Sequence, residues 1–208
     1  MRIMKLKVCG MRERENIEAL EGLKPDYMGF IFWALSSRYV SKETPPLPAH
    51  IKKVGVFVDA SLDYIQSIVT SHHLQAVQLH GIETTEYCEL IQNLGVEVIK
   101  AFSIKDDFDF SVLEEYENNC NYFLFDTKGA LPGGNGVGFD WNILNHYPSE
   151  KPFFLSGGIG LEDISKLKAI LNTSLPLYAI DVNSKFESVP GIKKIDVLKQ
   201  FKKELYEL

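Results

Sequence analysis

Short apolar runs rich in β-branched and aromatic residues punctuate the chain at 4–8, 27–31, 53–57, 76–79, 97–102, 122–125, 153–155 and 178–182. Most lack a sustained polar/apolar alternation, the pattern of parallel strands covered on both faces. The segments between them carry helical stripes. Leu62, Ile65, Ile68 and Val69 form one, and Tyr87, Leu90, Ile91 and Leu94 a second. Ile164, Leu167, Ile170 and Leu171 form a third, and Ile195, Leu198, Phe201 and Leu205 a fourth. Each stripe suits one helix face laid on a sheet, and Ser61 is placed to cap its helix. Two intervals suit a full helix poorly: 41–50 holds three prolines and 140–147 is short.

Alternating strands and helices imply right-handed crossovers and a parallel sheet. Eight units predict a closed (β/α)8 barrel of the TIM type, with a doubly wound open sheet as the alternative. Spread over 208 residues they average about 26 residues each, near the lower limit for a closed barrel. The expectation is one domain over 1–208 with few insertions. In such a barrel the chemistry sits at the C-terminal ends of the strands.

Composition narrows the function. With 22 basic against 28 acidic side chains and a net charge of −6, a broad nucleic-acid footprint is not expected. No segment approaches the roughly 20 apolar residues of a membrane span, and the N-terminus lacks a signal-peptide core. Cysteines at 9, 88 and 120 are odd in number and show no disulfide or zinc spacing. A reducing, cytoplasmic address is expected.

The loaded residues fall at strand ends. Cys9 closes the first run, and Gly10 allows a sharp exit from it. A cysteine there can exchange a proton at the barrel mouth; the alternative is a small buried hydrophobe. Cys88 and Cys120 read as packing residues. Asp126 follows four apolar residues at the end of the sixth run, a costly place for a carboxylate without a task. Partly desolvated, it can act as a general acid; the alternative is a capping or loop Asp. Asp181 ends the eighth run in the same way. Gly157 and Gly158 follow the seventh run and open a helix, whose backbone N–H groups suit an anion. With Asn183 and Ser184 after the eighth run, they match the barrel phosphate site; the alternative is a tight turn. Arg38, in the loop after the second run, can hold a carboxylate bidentately or be a surface residue. His80 ends the fourth run. The glycine-rich segment 127–139 reads as a lid.

Taken in order, KVCGM at 7–11, DYMGFIF at 26–32, SRYV at 37–40, VGVFVD at 54–59, VQLHG at 77–81, LFDT at 124–127, GGNGVGFDW at 133–141, LSGGI at 155–159, DVNS at 181–184 and PGIKK at 190–194 resemble phosphoribosylanthranilate isomerase. This family carries out the Amadori rearrangement of tryptophan biosynthesis. The resemblance implies Cys9 as base, Asp126 as acid and Arg38 as the carboxylate anchor. It implies a phosphate site at Gly157, Gly158, Asn183 and Ser184, with Lys7, His80 and Asp181 lining the pocket. The implied substrate is a small phosphorylated molecule. No metal or organic cofactor is implied, because the substrate's own nitrogen supplies the electrons. A barrel can bury its core alone, so a monomer is expected rather than a homodimer.

The chain departs from the family pattern in places. Ala34-Leu35-Ser36-Ser37 lacks the usual Lys and Pro before Arg38, Asn135 replaces a Thr, and Asn183-Ser184-Lys185 replaces an SSG. Lys185 is expected to strengthen anion binding instead. Rival readings are a histidine-pathway isomerase, which would need an Asp where Cys9 stands, indole-glycerol-phosphate synthase, and a non-catalytic phosphometabolite-binding protein.

Overall fold

The computed structural model describes residues 4–105, 107–127 and 140–206. Eight parallel strands close into a barrel in chain order. They are β1 (Lys5–Val8), β2 (Tyr27–Ile31), β3 (Lys52–Phe57), β4 (Ala76–Leu79), β5 (Glu97–Ile104), β6 (Tyr122–Thr127), β7 (Phe153–Leu155) and β8 (Leu177–Val182). The closing pair is β1 with β8, in register at Lys7 and Asp181. Closure decides against the open-sheet alternative.

The runs lack alternation because both strand faces are dry. Inward-facing Tyr27, Val54, Ala76, Ile99, Leu124, Phe154 and Ala179 fill the barrel, and a larger apolar layer lies outside it under the helices. Towards the N-terminal strand ends, Tyr122 stacks on Tyr178 at 4.6 Å and Tyr27 packs edge-on against Phe154. These rings plug the lower barrel, where Lys52 pairs with Glu97 beside Tyr27.

The helices are short. They are α1 (Arg14–Glu21), α2 (Leu62–His72), α3 (Thr85–Gln92), α4 (Ile164–Leu171) and α5 (Ile195–Tyr206). Ser61 caps α2 by accepting from the Tyr64 N–H at 3.3 Å, as expected. In α3 the stripe is rotated: Cys88 and Ile91 are buried while Leu90 is exposed. Cys120 is buried as well. No helix forms between β2 and β3, where Pro45, Pro46 and Pro48 remove backbone donors. The connections at Phe110–Tyr116 and Trp141–His146 are 3₁₀ turns, capped by Asp109 and Asp140. After β8, a 3₁₀ turn (Ser184–Phe186) leads into a hairpin of β9 (Glu187–Val189) and β10 (Ile192–Lys193). Except for Thr127, the expected lid and Asn135 lie outside the described residues. Among the described residues no helix is long and apolar enough to cross a membrane.

Candidate active site

Parallel closure brings all the C-terminal strand ends to one rim. There one pocket is lined by Cys9, Arg38, His80, Asp126, Gly157, Gly158, Asp181, Asn183 and Ser184. Of the residues expected to form the site, Lys7 alone does not line it. Lys7 lies beneath the floor, out of contact with solvent.

Cys9 is held by its N–H, which donates to the Val182 carbonyl at 2.9 Å. Gly29 on β2 makes room for it, since a Cβ there would stand 2.7 Å from Sγ. Burial pushes the Cys9 thiol above its ordinary value, and Asp181 pushes the same way, while Lys7 and Lys193 pull it down. The net shift is upward, with burial its largest cause.

Lys7 donates to Asp181 Oδ2 at 2.7 Å and to Gln78 Oε1 at 2.8 Å. Burial pushes its ammonium towards losing a proton, but Asp181 and Cys9 outweigh this and hold its pKa above the ordinary value. On β6, Asp126 is buried, and its Oδ1 accepts from the Thr127 N–H at 2.9 Å. Its Oδ2 lies 3.4 Å from His80 Nε2. Gly157 presses on this strand end: a Cβ there would meet Thr127 Oγ1 at 2.2 Å and Asp126 Oδ1 at 3.2 Å.

Gly157 and Gly158 take φ of +98° and +67°, the left-handed conformation that favours glycine. They turn the backbone at the rim beside Asn183 and Ser184, which follow the neighbouring strand β8. Asn183 Oδ1 accepts from Lys193 Nζ at 2.7 Å. Because an ammonium can only donate, this fixes the amide oxygen on Lys193 and turns the Nδ2 donors elsewhere. Lys185 lines the same pocket, and its Nζ donates to Glu162 Oε1 at 3.0 Å.

Arg38 is clamped rather than free. Its Nε lies 2.9 Å from Glu187 Oε1, and its Nη2 lies 2.6 Å from Oε2. Lys193 Nζ lies 2.6 Å from the same carboxylate. Burial pushes the Glu187 carboxyl up, but Arg38 and Lys193 overcome it and hold its pKa below the ordinary value. Gly10, at φ +76°, lets Arg38 and Asn183 approach, since a Cβ there would stand 2.7 Å from Arg38 Cδ and 2.6 Å from Asn183 Oδ1. Glu187, Lys193 and Gln78 were not singled out in the sequence. The only signals were their places in or beside DVNS, PGIKK and VQLHG. Among the described residues no three His, Cys, Asp or Glu side chains group to hold a metal ion.

The pocket thus sets a thiol at the end of β1 and a carboxyl group at the end of β6, three strands apart around the closed barrel, with an arginine and a glycine-rich turn at its edges. The family model for N-(5'phosphoribosyl)anthranilate (PRA) isomerase matches residues 6–204.

The chain belongs to the phosphoribosylanthranilate isomerase family.

An N-(5'-phosphoribosyl)anthranilate isomerase of Parabacteroides distasonis is 44% identical over 205 residues, covering 95% of this chain and 91% of that one. A solved isomerase in complex with reduced 1-(o-carboxyphenylamino)-1-deoxyribulose 5-phosphate has a TM-score of 0.82 at 28% identity, covering 99% of this chain and 100% of that one. A structure of mutually generated monomers of the dimeric Thermotoga maritima isomerase has a TM-score of 0.79 at 29% identity, with the same coverage. The chain is therefore an enzyme: it isomerises phosphoribosylanthranilate in tryptophan biosynthesis.

Proposed function

We propose that the isomerisation runs by general acid–base catalysis between Asp126 and Cys9. The observation that carries this reading is the convergence of these two groups on one pocket, each at the C-terminal end of its strand. Asp126, protonated, gives its proton to the ribose ring oxygen as the C1–O bond breaks. The anthranilate nitrogen pushes its lone pair towards C1, forming the C1=N bond of an iminium as the C1–O electrons leave on the protonated ring oxygen. The iminium acidifies the C2–H, and Cys9 takes that proton as a thiolate. The C–H electrons form the C1=C2 double bond and neutralise the nitrogen. The enol hydroxyl then loses a proton as C1 gains one, leaving a ketone at C2. Carbon 1 is reduced as carbon 2 is oxidised, so no outside oxidant or reductant enters.

Arg38 anchors the anthranilate carboxylate. Gly157, Gly158, Asn183 and Ser184 hold the phosphate with backbone and amide donors. Fixing both ends keeps the reacting carbons between acid and base. His80 and Asp181 line the pocket wall, while Lys7 acts from below through Cys9 and Asp181. The reading has residues 1–208 working as one barrel domain in the cytoplasm. A barrel that buries its own core needs no partner to fold, and on that ground the reading is a monomer and not a homodimer. Sedimentation tests this: about 24 kDa supports it, and twice that mass overturns it.

The test of the chemistry follows the loss of anthranilate-type fluorescence from phosphoribosylanthranilate generated in place. The wild-type protein should abolish the signal at catalytic concentration. The double variant Cys9→Ala/Asp126→Asn should leave it at the uncatalysed rate. Equal loss with both proteins would overturn the reading.

A further inference from the structure

His80 and Asp126 meet at the acid side of the pocket, and the chemistry there depends on which His80 nitrogen carries a proton. The buried chain behind His80 answers this by elimination. Lys7 Nζ lies 2.8 Å from one terminal atom of Gln78, and His80 Nδ1 lies 3.1 Å from the other. Lys7 and Gln78 are both shut off from solvent. An ammonium offers only donors, so the amide atom facing Lys7 is the oxygen. The atom facing His80 is then the NH2 group, which also only donates. His80 Nδ1 must therefore accept, and the imidazole proton sits on Nε2. That nitrogen is buried, makes no hydrogen bond among the described residues, and lies 3.4 Å from Asp126 Oδ2.

We infer that Gln78 is a positioning residue for the acid: held by Lys7, it locks His80 as the neutral Nε2–H tautomer. The consequence is kinetic. With its proton on Nδ1, His80 would present a bare Nε2 to Asp126 and take the proton the acid needs. An imidazolium–carboxylate pair would replace the acid. With Nε2 already protonated, His80 cannot receive that proton, so Asp126 passes it to the substrate oxygen. The same N–H then faces the carboxylate left behind. An imidazolium is opposed as well, because an Nδ1–H would point at the amide N–H. The tautomer claim stands on geometry alone; its kinetic consequence rests on Asp126 being the acid.

The test is ¹⁵N NMR of histidine-labelled protein at neutral pH, with His80 assigned by its absence from His80→Asn. The wild type should show a protonated-type Nε2 and an unprotonated-type Nδ1. A protonated Nδ1 would overturn the inference. Gln78→Glu keeps an acceptor for Lys7 but also accepts from Nδ1–H. It should protonate Nδ1 and lower kcat by at least about tenfold, short of the roughly 10²-fold or more expected on removing an acid. KM should stay within about twofold of wild type, because Gln78 acts on the proton rather than on either anchor. An unchanged Nδ1 signal or an unchanged kcat in Gln78→Glu would also overturn it. Should Asp126→Asn keep full turnover, the acid assignment fails while the wild-type tautomer is still read independently.

Discussion

Lys7 Nζ stands 2.7 Å from Asp181 Oδ2 inside the closed barrel, joining its first strand to its last. Both side chains are almost wholly out of water, at 0% and 5% exposure. Removing one partner strands the other charge in the interior. Asp181→Leu should cost about 3–5 kcal/mol of folding stability, the usual scale for a broken buried pair. The double variant Lys7→Met/Asp181→Leu should recover most of the loss. Urea denaturation of the three proteins measures both effects.

Cys9 gives a pH dependence with a definite sign. Burial raises its pKa, Asp181 adds to the rise, and Lys7 and Lys193 oppose it. As the base must be a thiolate, kcat/KM should climb with pH as the thiol ionises. Lys7→Met removes a cation and leaves Asp181 unopposed, so both changes raise the thiol further. The rising limb should move to higher pH. A limb that moves down, or does not move, would argue that Cys9 is not the titrating base.

The Arg38–Glu187 clamp predicts an effect on binding rather than on chemistry. Arg38→Ala should raise KM with little change in kcat, as removal of uniform binding does. Glu187→Gln should do the same more weakly, because the guanidinium loses its fixed orientation but keeps its charge. Glu187 has a depressed pKa. Its stabilising contribution is therefore complete above the ordinary carboxylate value and is lost as pH falls through the lower folded one. Steady-state kinetics on the two variants separates KM from kcat.

Two glycines with similar backbones should behave differently. Gly157 and Gly95 both have positive φ, +98° and +78°. A Cβ at Gly157 runs into Thr127 beside Asp126, whereas one at Gly95 meets nothing within 4 Å. Gly95→Ala should cost roughly 1–2 kcal/mol of stability from backbone strain and leave kcat unchanged. Gly157→Ala should also lower kcat, by about tenfold or more, since small displacements of reacting groups are costly.

Much of this site is readable without coordinates. Cys9, Asp126 and Asp181 stand out because each interrupts an apolar strand at its C-terminal end, and barrel closure then puts such ends on one rim. The partners are harder to see. Glu187 meets Arg38 across 149 residues, through a hairpin that no strand–helix periodicity announces. Gln78 is buried with the rest of its run, and an amide there has no special signature until Lys7 faces it. The 3₁₀ turn at Phe110–Tyr116 buries only Phe110 and Leu113, too few for a helical stripe. Leu90 completes a period of four and yet is exposed, because α3 turns Cys88 inward instead.

The account rests on Asp126 and Cys9 as a proton-transferring pair. The direct measurement is kcat by fluorescence decay for Cys9→Ala and for Asp126→Asn, beside each variant's affinity for reduced 1-(o-carboxyphenylamino)-1-deoxyribulose 5-phosphate. Each kcat should fall by at least about 10²-fold while affinity for the reduced product is kept. Near-wild-type kcat in either variant, with the protein folded and the ligand bound, would contradict the assignment.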